Sequence, residues 1–137
     1  MNNNEVLNPW KPISNLPDRV ICEGVSDNYD GFRILLKEQC EPGIIKTVTR
    51  NIVITFDPTI AYRNIDESYR TRTFSKNSYR TGSFFVVDNS KFISWIKEES
   101  CGMYDDQPIK HYSIFTLNEC IDILSEFDPV VEWVEIQ

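Results

Sequence analysis

Between Ser83 and Asp128 the chain reads SFFVVDNSKFISWIKEESCGMYDDQPIKHYSIFTLNECIDILSEFD, and this stretch constrains the fold more than any other. Phe84-Phe85-Val86-Val87 is a run of aromatic and β-branched residues, the pattern of a buried strand. Asp88-Asn89-Ser90 ends it and offers side-chain oxygens to cap a following helix. The helix is expected over about 90–100. Phe92, Ile93 and Ile96 recur there at the three-and-four spacing of one face, with Trp95 to one side. Gly102 supplies the left-handed stop. Glu98 and Glu99 fall at the helix C-terminus, where the peptide dipole disfavours carboxylates and a cationic partner would compensate. Lys110–Leu117 alternates with both faces mostly apolar, which fits a central strand. Thr116-Leu117-Asn118-Glu119 has the capping-box form and predicts a second helix over about 117–127, burying Cys120, Ile121, Ile123 and Leu124 and stopped by Pro129.

The rest of the chain adds strands. Residues 1–9 read as a polar leader, and Pro9, Pro12 and Pro17 rule out a helix near them. Trp10 and Leu16 are expected at the core edge. Arg19–Val25 and Phe32–Lys37 read as a hairpin around the Ser26–Gly31 turn. That turn lacks the calcium-loop pattern: counted from Asp27, Glu38 holds position twelve, but Tyr29 and Gly31 occupy positions three and five. Residues 45–56 form the longest β-type run, Ile60–Ile65 another, and Val130–Ile136 alternates as an edge strand. Residues 69–83, YRTRTFSKNSYRTGS, lack a sustained apolar period and read as an exposed loop. The expectation is one α+β domain over residues 1–137, a mainly antiparallel sheet of about six or seven strands with two helices.

A hydrophobic content of 41% argues for a folded globule. No apolar run approaches the roughly 18–20 residues that cross a bilayer, so no membrane partner is expected. The first residues carry no basic-then-apolar signal, so the expected location is cytoplasmic. The four cysteines (22, 40, 101 and 120) form no C-x-x-C pair and read as free thiols. With one histidine in the chain, neither a metal nor any other cofactor is expected.

The net charge of −7 is uneven: residues 1–45 sum to −3, residues 46–80 to +4 and residues 81–137 to −8. An acidic surface repels nucleic acid and anionic membranes and speeds encounter with basic proteins. Glu98, Glu99, Tyr104, Asp105, Asp106, Glu132, Trp133 and Glu135 are the candidate partner-binding residues, because aromatic rings anchor and carboxylates meet Arg and Lys. The alternative is a nucleic-acid-binding module using Tyr69, Arg70, Arg72, Lys76, Tyr79 and Arg80, where bases would stack and phosphates pair. Nucleic acid is the less favoured partner, given the acidity of the remainder.

Catalytic signatures are missing. The chain has no Gly-rich phosphate loop, no G-x-S-x-G and no H-E-x-x-H. His111 is a candidate base for Cys101 or Cys22 only if the fold brings them together. No catalytic residue is assigned, and a non-enzymatic protein is expected.

The order GFRILL, ITF, YRNIDES, SFFVVDNSKFISWIKEESCGMY, KHYSIFTLNECIDIL resembles small bacterial immunity proteins of polymorphic-toxin systems, including those of contact-dependent growth inhibition. The likeness spans roughly residues 10–130. It implies a cognate toxin domain, often a nuclease, bound and neutralised in the producing cell. It carries over no catalytic residue, and the basic 69–83 segment fits an acidic inhibitor poorly.

Overall fold

A computed structural model describes residues 4–39, 43, 50–76 and 82–135 of the 137-residue chain. Its elements run β1 (Val6–Pro9), β2 (Val20–Asn28), β3 (Gly31–Glu38), β4 (Arg50–Phe56), β5 (Ala61–Asp66), a 3-10 turn (Glu67–Tyr69), α1 (Thr71–Lys76), β6 (Phe84–Asp88), α2 (Lys91–Glu99), β7 (Lys110–Phe115), β8 (Glu119–Ser125) and β9 (Val130–Glu135). All the strand pairings are antiparallel. One sheet has the order β1-β6-β7-β8-β5 and the other β2-β3-β4-β9. The α+β class and the antiparallel pairing stand, with nine strands in two sheets among the described residues in place of one sheet of six or seven.

Period-two alternation builds the sandwich. Phe32, Ile34 and Leu36 of β3 and Ile52, Ile54 and Phe56 of β4 face Phe84 of β6, Tyr112 and Ile114 of β7, and Ile121 and Ile123 of β8 in one buried cluster. Trp10 and Leu16 close its edge, as the sequence predicts, and Trp10 lies against the rings of Phe84 and Tyr112. At the β2–β3 turn, Gly31 has φ +109°, and a Cβ there would sit 2.8 Å from the Phe56 carbonyl. Glycine alone fits this close approach.

The opposite face of the five-stranded sheet carries the helices. Leu7, Phe85, Val87, Phe115 and Cys120 form a second buried cluster under Phe74 of α1. α2 starts where predicted: Ser90 caps it, its hydroxyl accepting from Ile93 N–H at 3.0 Å. Phe92 is the buried residue of its inner face. The helix ends at Ser100, and Cys101 and Gly102 follow with positive φ.

Three expectations are corrected. The predicted helix over 117–127 is strand β8. Thr116 Oγ1 does accept the Glu119 N–H at 3.1 Å, but Thr116 N–H also donates to the Glu119 carbonyl, and the pair closes a hairpin turn between β7 and β8. The capping-box pattern is a local bond that either structure can use, and pairing to β5 and β7 decides for the strand. The polar leader of residues 1–9 contains β1, which adds to the edge of β6 and buries Leu7. Within the predicted 69–83 loop, α1 forms and Phe74 packs against Phe115 at 5.3 Å between ring centroids. Residues 45–49 and 77–81 of the predicted segments, Ile136 and Cys40 lie outside the described residues.

Among the described residues, no helix is long and apolar enough to cross a membrane.

Candidate functional site

The register that makes β7 and β8 a hairpin puts His111, Ser113 and Asp122 on the helix-covered face. The β5 register places Arg63 directly opposite Asp122. Asp122 is fully buried, yet four side chains bond to it. One carboxylate oxygen accepts from His111 Nε2 at 2.7 Å and from the Ser113 hydroxyl. The other accepts from Arg63 Nε at 2.8 Å and from Arg70 Nη1 at 2.7 Å. Burial pushes the Asp122 carboxyl up. The hydrogen bond and charge of His111, with the charges of Arg63 and Arg70, outweigh this and hold it well below the usual carboxylate range. A buried carboxylate persists only with such partners, because an unpaired one would be protonated or expelled.

The chain of bonds continues outward. His111 Nδ1 lies 2.7 Å from Ser90 Oγ, the same oxygen that caps α2. With Nε2–H given to Asp122, a neutral ring accepts the Ser90 hydroxyl proton at Nδ1, and a protonated ring donates to that same oxygen. One geometry therefore serves both states. The Ser90–His111–Asp122 connectivity has the order of a nucleophile relay. Its serine, however, is a buried helix cap, and the small cavity over this layer is lined by His111 and Ser113 and not by Ser90. We read the relay as the tie that fixes the start of α2 to the sheet. Neither Cys22 nor Cys101 is a partner of His111: its ring nitrogens face Ser90, Ser113 and Asp122. Burial, then Glu119, pushes the Cys22 thiol up to about 11.

So anchored, α2 forms one wall of a cleft of about 970 Å³. Phe32, Tyr62, Phe92 and Trp95 supply its aromatic surface, with Asp27 and Asp57 on the hairpin side and Arg63 and Lys91 on the other. Tyr62 stacks on Phe32 at 4.1 Å, and its hydroxyl donates to Asp27 at 3.1 Å. Arg63 lies over the Phe92 ring at 4.5 Å, and its charge is offset by Asp122. Trp95 is 53% exposed. Three and four residues on, Glu98 and Glu99 are its neighbours on the helix surface, so the wall of the cleft runs on into carboxylates.

The turn after α2 is rigidly built. Backbone bonds link Cys101 N–H to Glu98, Gly102 N–H to Lys97, Met103 N–H to Ser100, Asp105 N–H to Gly102 and Gln107 N–H to Tyr104, at 2.9–3.2 Å. It holds Met103 (76% exposed), Tyr104, Asp105 and Asp106 out to solvent.

The candidate partner-binding residues therefore divide. Glu98, Glu99, Tyr104, Asp105 and Asp106 share the α2 end of the molecule. Glu132, Trp133 and Glu135 lie on β9, the edge of the other sheet. Trp133 packs against the sandwich core with Arg50 4.7 Å above its ring, Glu135 pairs across from Arg50, and Glu132 points to the opposite face. The alternative nucleic-acid set divides as well. Tyr69 is exposed, Arg70 is bound to Asp122, and Arg72 and Lys76 are exposed on α1. Tyr79 and Arg80 lie outside the described residues. Sequence reading missed Asp122, Arg63 and Ser90 as a unit and Trp95 as the exposed anchor. The available signal was Asp122 standing alone inside the apolar run CIDIL, where an acid needs a partner.

No family model, no curated protein and no solved structure matches the chain.

Proposed function

We propose that the chain is a non-enzymatic inhibitor of the immunity type, which binds and neutralises a basic toxin domain, with a nuclease the fitting class. The binding surface is the ridge formed by Trp95, Glu98 and Glu99 together with the 103–106 turn. The observation that supports this reading is the continuity of an aromatic cleft with a rigid, exposed carboxylate cluster on one anchored helix. A nuclease site that holds phosphates presents Lys and Arg. Carboxylates on a preformed scaffold pair with those cations at low ordering cost, while Trp95 and Met103 supply buried area. Trp133 and Glu135 drop out of this surface because they serve the β9 edge. The proposed location is the cytoplasm, where the toxin would be met.

The test is capture from native lysate at low salt by the tagged chain, followed by a toxicity assay of the recovered protein with and without the chain. A basic partner bound one-to-one and neutralised is the expected result. Association should slow by about tenfold or more on going to physiological salt. Trp95→Ala and the Glu98→Lys/Glu99→Lys pair should abolish capture with little change in stability. Capture unchanged in both variants would remove this surface. A partner whose toxicity is unaffected would remove the inhibitor reading.

A further inference from the structure

A second concavity, of about 130 Å³, lies between β1, α1 and the first turn of α2. In a chain with net charge −7, its rim is basic. Arg70, Arg72, Lys76 and Lys91 line it, against one carboxylate, Glu5. Glu5 is already engaged, accepting from the Lys91 backbone N–H at 3.1 Å. Arg70 is fixed by Asp122 and by a bond from its Nε to Thr73 at 3.3 Å. Lys76 is held by Asn4 at 3.2 Å. The side chains of Arg72 and Lys91 form no ion pair among the described residues. Leu7 and Val87 give the cavity an apolar wall, which strengthens any charge interaction inside it.

We propose that this cavity binds a small tetrahedral oxyanion of the phosphate type, either free or as the terminal group of a larger molecule. The cavity of about 130 Å³ has room for such an anion. Arg72 and Lys76 come from α1, Lys91 from α2 and Arg70 from the turn ahead of α1; all four line one space, and among the described residues only Arg70 is paired with a carboxylate. Like charges held this close repel, and a divalent anion between them relieves that repulsion. Arg70 contributes a cation to the cavity wall, held in place by the buried Asp122. The site uses none of Trp95, Glu98, Glu99 or the 103–106 turn, and of its cations only Lys91 also borders the aromatic cleft.

The test is a titration of the full chain with inorganic phosphate against sodium chloride at matched ionic strength, read by calorimetry and by thermal unfolding. The expected result is saturable binding and a rise in Tm with phosphate alone. The Arg72→Gln/Lys91→Gln variant changes exposed side chains and should fold normally. It should weaken phosphate by about tenfold or more, as the loss of two charge-assisted bonds requires. Arg33→Gln, on the far sheet, should leave binding unchanged. Equal responses to phosphate and chloride, or equal affinity in the double variant, would overturn the proposal. A parallel arm uses a 5′-phosphorylated oligonucleotide with and without its terminal phosphate. Loss of binding on removing that phosphate supports the cavity as a phosphomonoester site. Binding that ignores it, with no effect of inorganic phosphate, marks a nucleic-acid surface and sinks the small-anion site.

Discussion

β7 and β8 present two faces that solve burial in opposite ways. Toward the sandwich they offer Ile114, Ile121 and Ile123, which need only volume and shape, and Tyr112, whose hydroxyl alone reaches out to a partner, Asp128. Toward the helices they offer His111, Ser113 and Asp122 beside Phe115 and Cys120, and there every polar atom needs a directed partner. Both faces are buried, but only one is specific about what must cover it. The apolar face would accept many arrangements of the second sheet. The polar face accepts one, because Arg63 from β5, Arg70 ahead of α1 and Ser90 ahead of α2 must arrive together. The same layer that sets the helices in place thereby sets both the aromatic cleft and the basic cavity.

Substitutions can break this contrast, beginning with the most damaging. Asp122→Ala should cost about 3–5 kcal/mol in urea unfolding, because it leaves two guanidinium groups and an imidazole partly buried and unpaired. Ile123→Val, at a neighbouring and equally buried position on the other face, should cost about 0.5–1.5 kcal/mol. Comparable losses for the two would show that the polar layer is ordinary filling.

Acid should act on the polar face next. The Asp122 carboxyl is held below its unfolded value, so its contribution is fully present above the unfolded pKa of about 3.9 and is lost as pH falls through the lower folded value. Stability should therefore fall steeply below about pH 4. The Asp122→Asn variant, however much less stable, should lose less over the same window. Parallel acid limbs for the two proteins would place the sensitivity elsewhere.

Ser90→Ala removes the cap of α2 and the His111 contact together, and should cost about 1–2 kcal/mol. A double-mutant cycle with His111→Phe should show coupling above about 0.5 kcal/mol. Additive losses would separate the helix from the relay. The smallest effect concerns thiols. Among the described cysteines, exposed Cys101 should alkylate first at pH 8, with Cys22, whose thiol is pushed up to about 11, and buried Cys120 far slower. Peptide mapping after brief iodoacetamide treatment reads the order directly.

The legible parts of this fold are those whose signal is local. Phe84–Val87 makes a strand in almost any context, Ser90 is a good cap with helix-period residues behind it, and the β2–β3 hairpin was legible from its turn residues, although Ser26, Asp27 and Asn28 continue β2 and the turn itself is only Tyr29-Asp30. The 119–125 segment was not legible. ECIDILS places apolar residues at 120, 121, 123 and 124, which satisfies a helical stripe as well as a doubly buried strand, and Thr116 with Glu119 serves either. A helix over this segment would place Asp122 opposite the apolar stripe, in water. Its partners at 63, 70 and 111 come from other elements. The candidate site was half legible for the same reason: the acidity after residue 97 is visible in the letters, whereas its division between two sheets is not.

By itself, then, the sequence determined the α+β class, the existence of the β2–β3 hairpin, the existence of α2 and the acidic balance of the last third, because these follow from nearest-neighbour chemistry and from composition. Only the tertiary structure decided that residues 119–125 are a strand, that Asp122 is buried and fourfold partnered, that Trp95 rather than Trp133 stands beside the exposed acids, and that four cations surround one cavity. Each of these depends on groups distant in the chain meeting at hydrogen-bond distance, and such meetings leave no periodicity in any one segment.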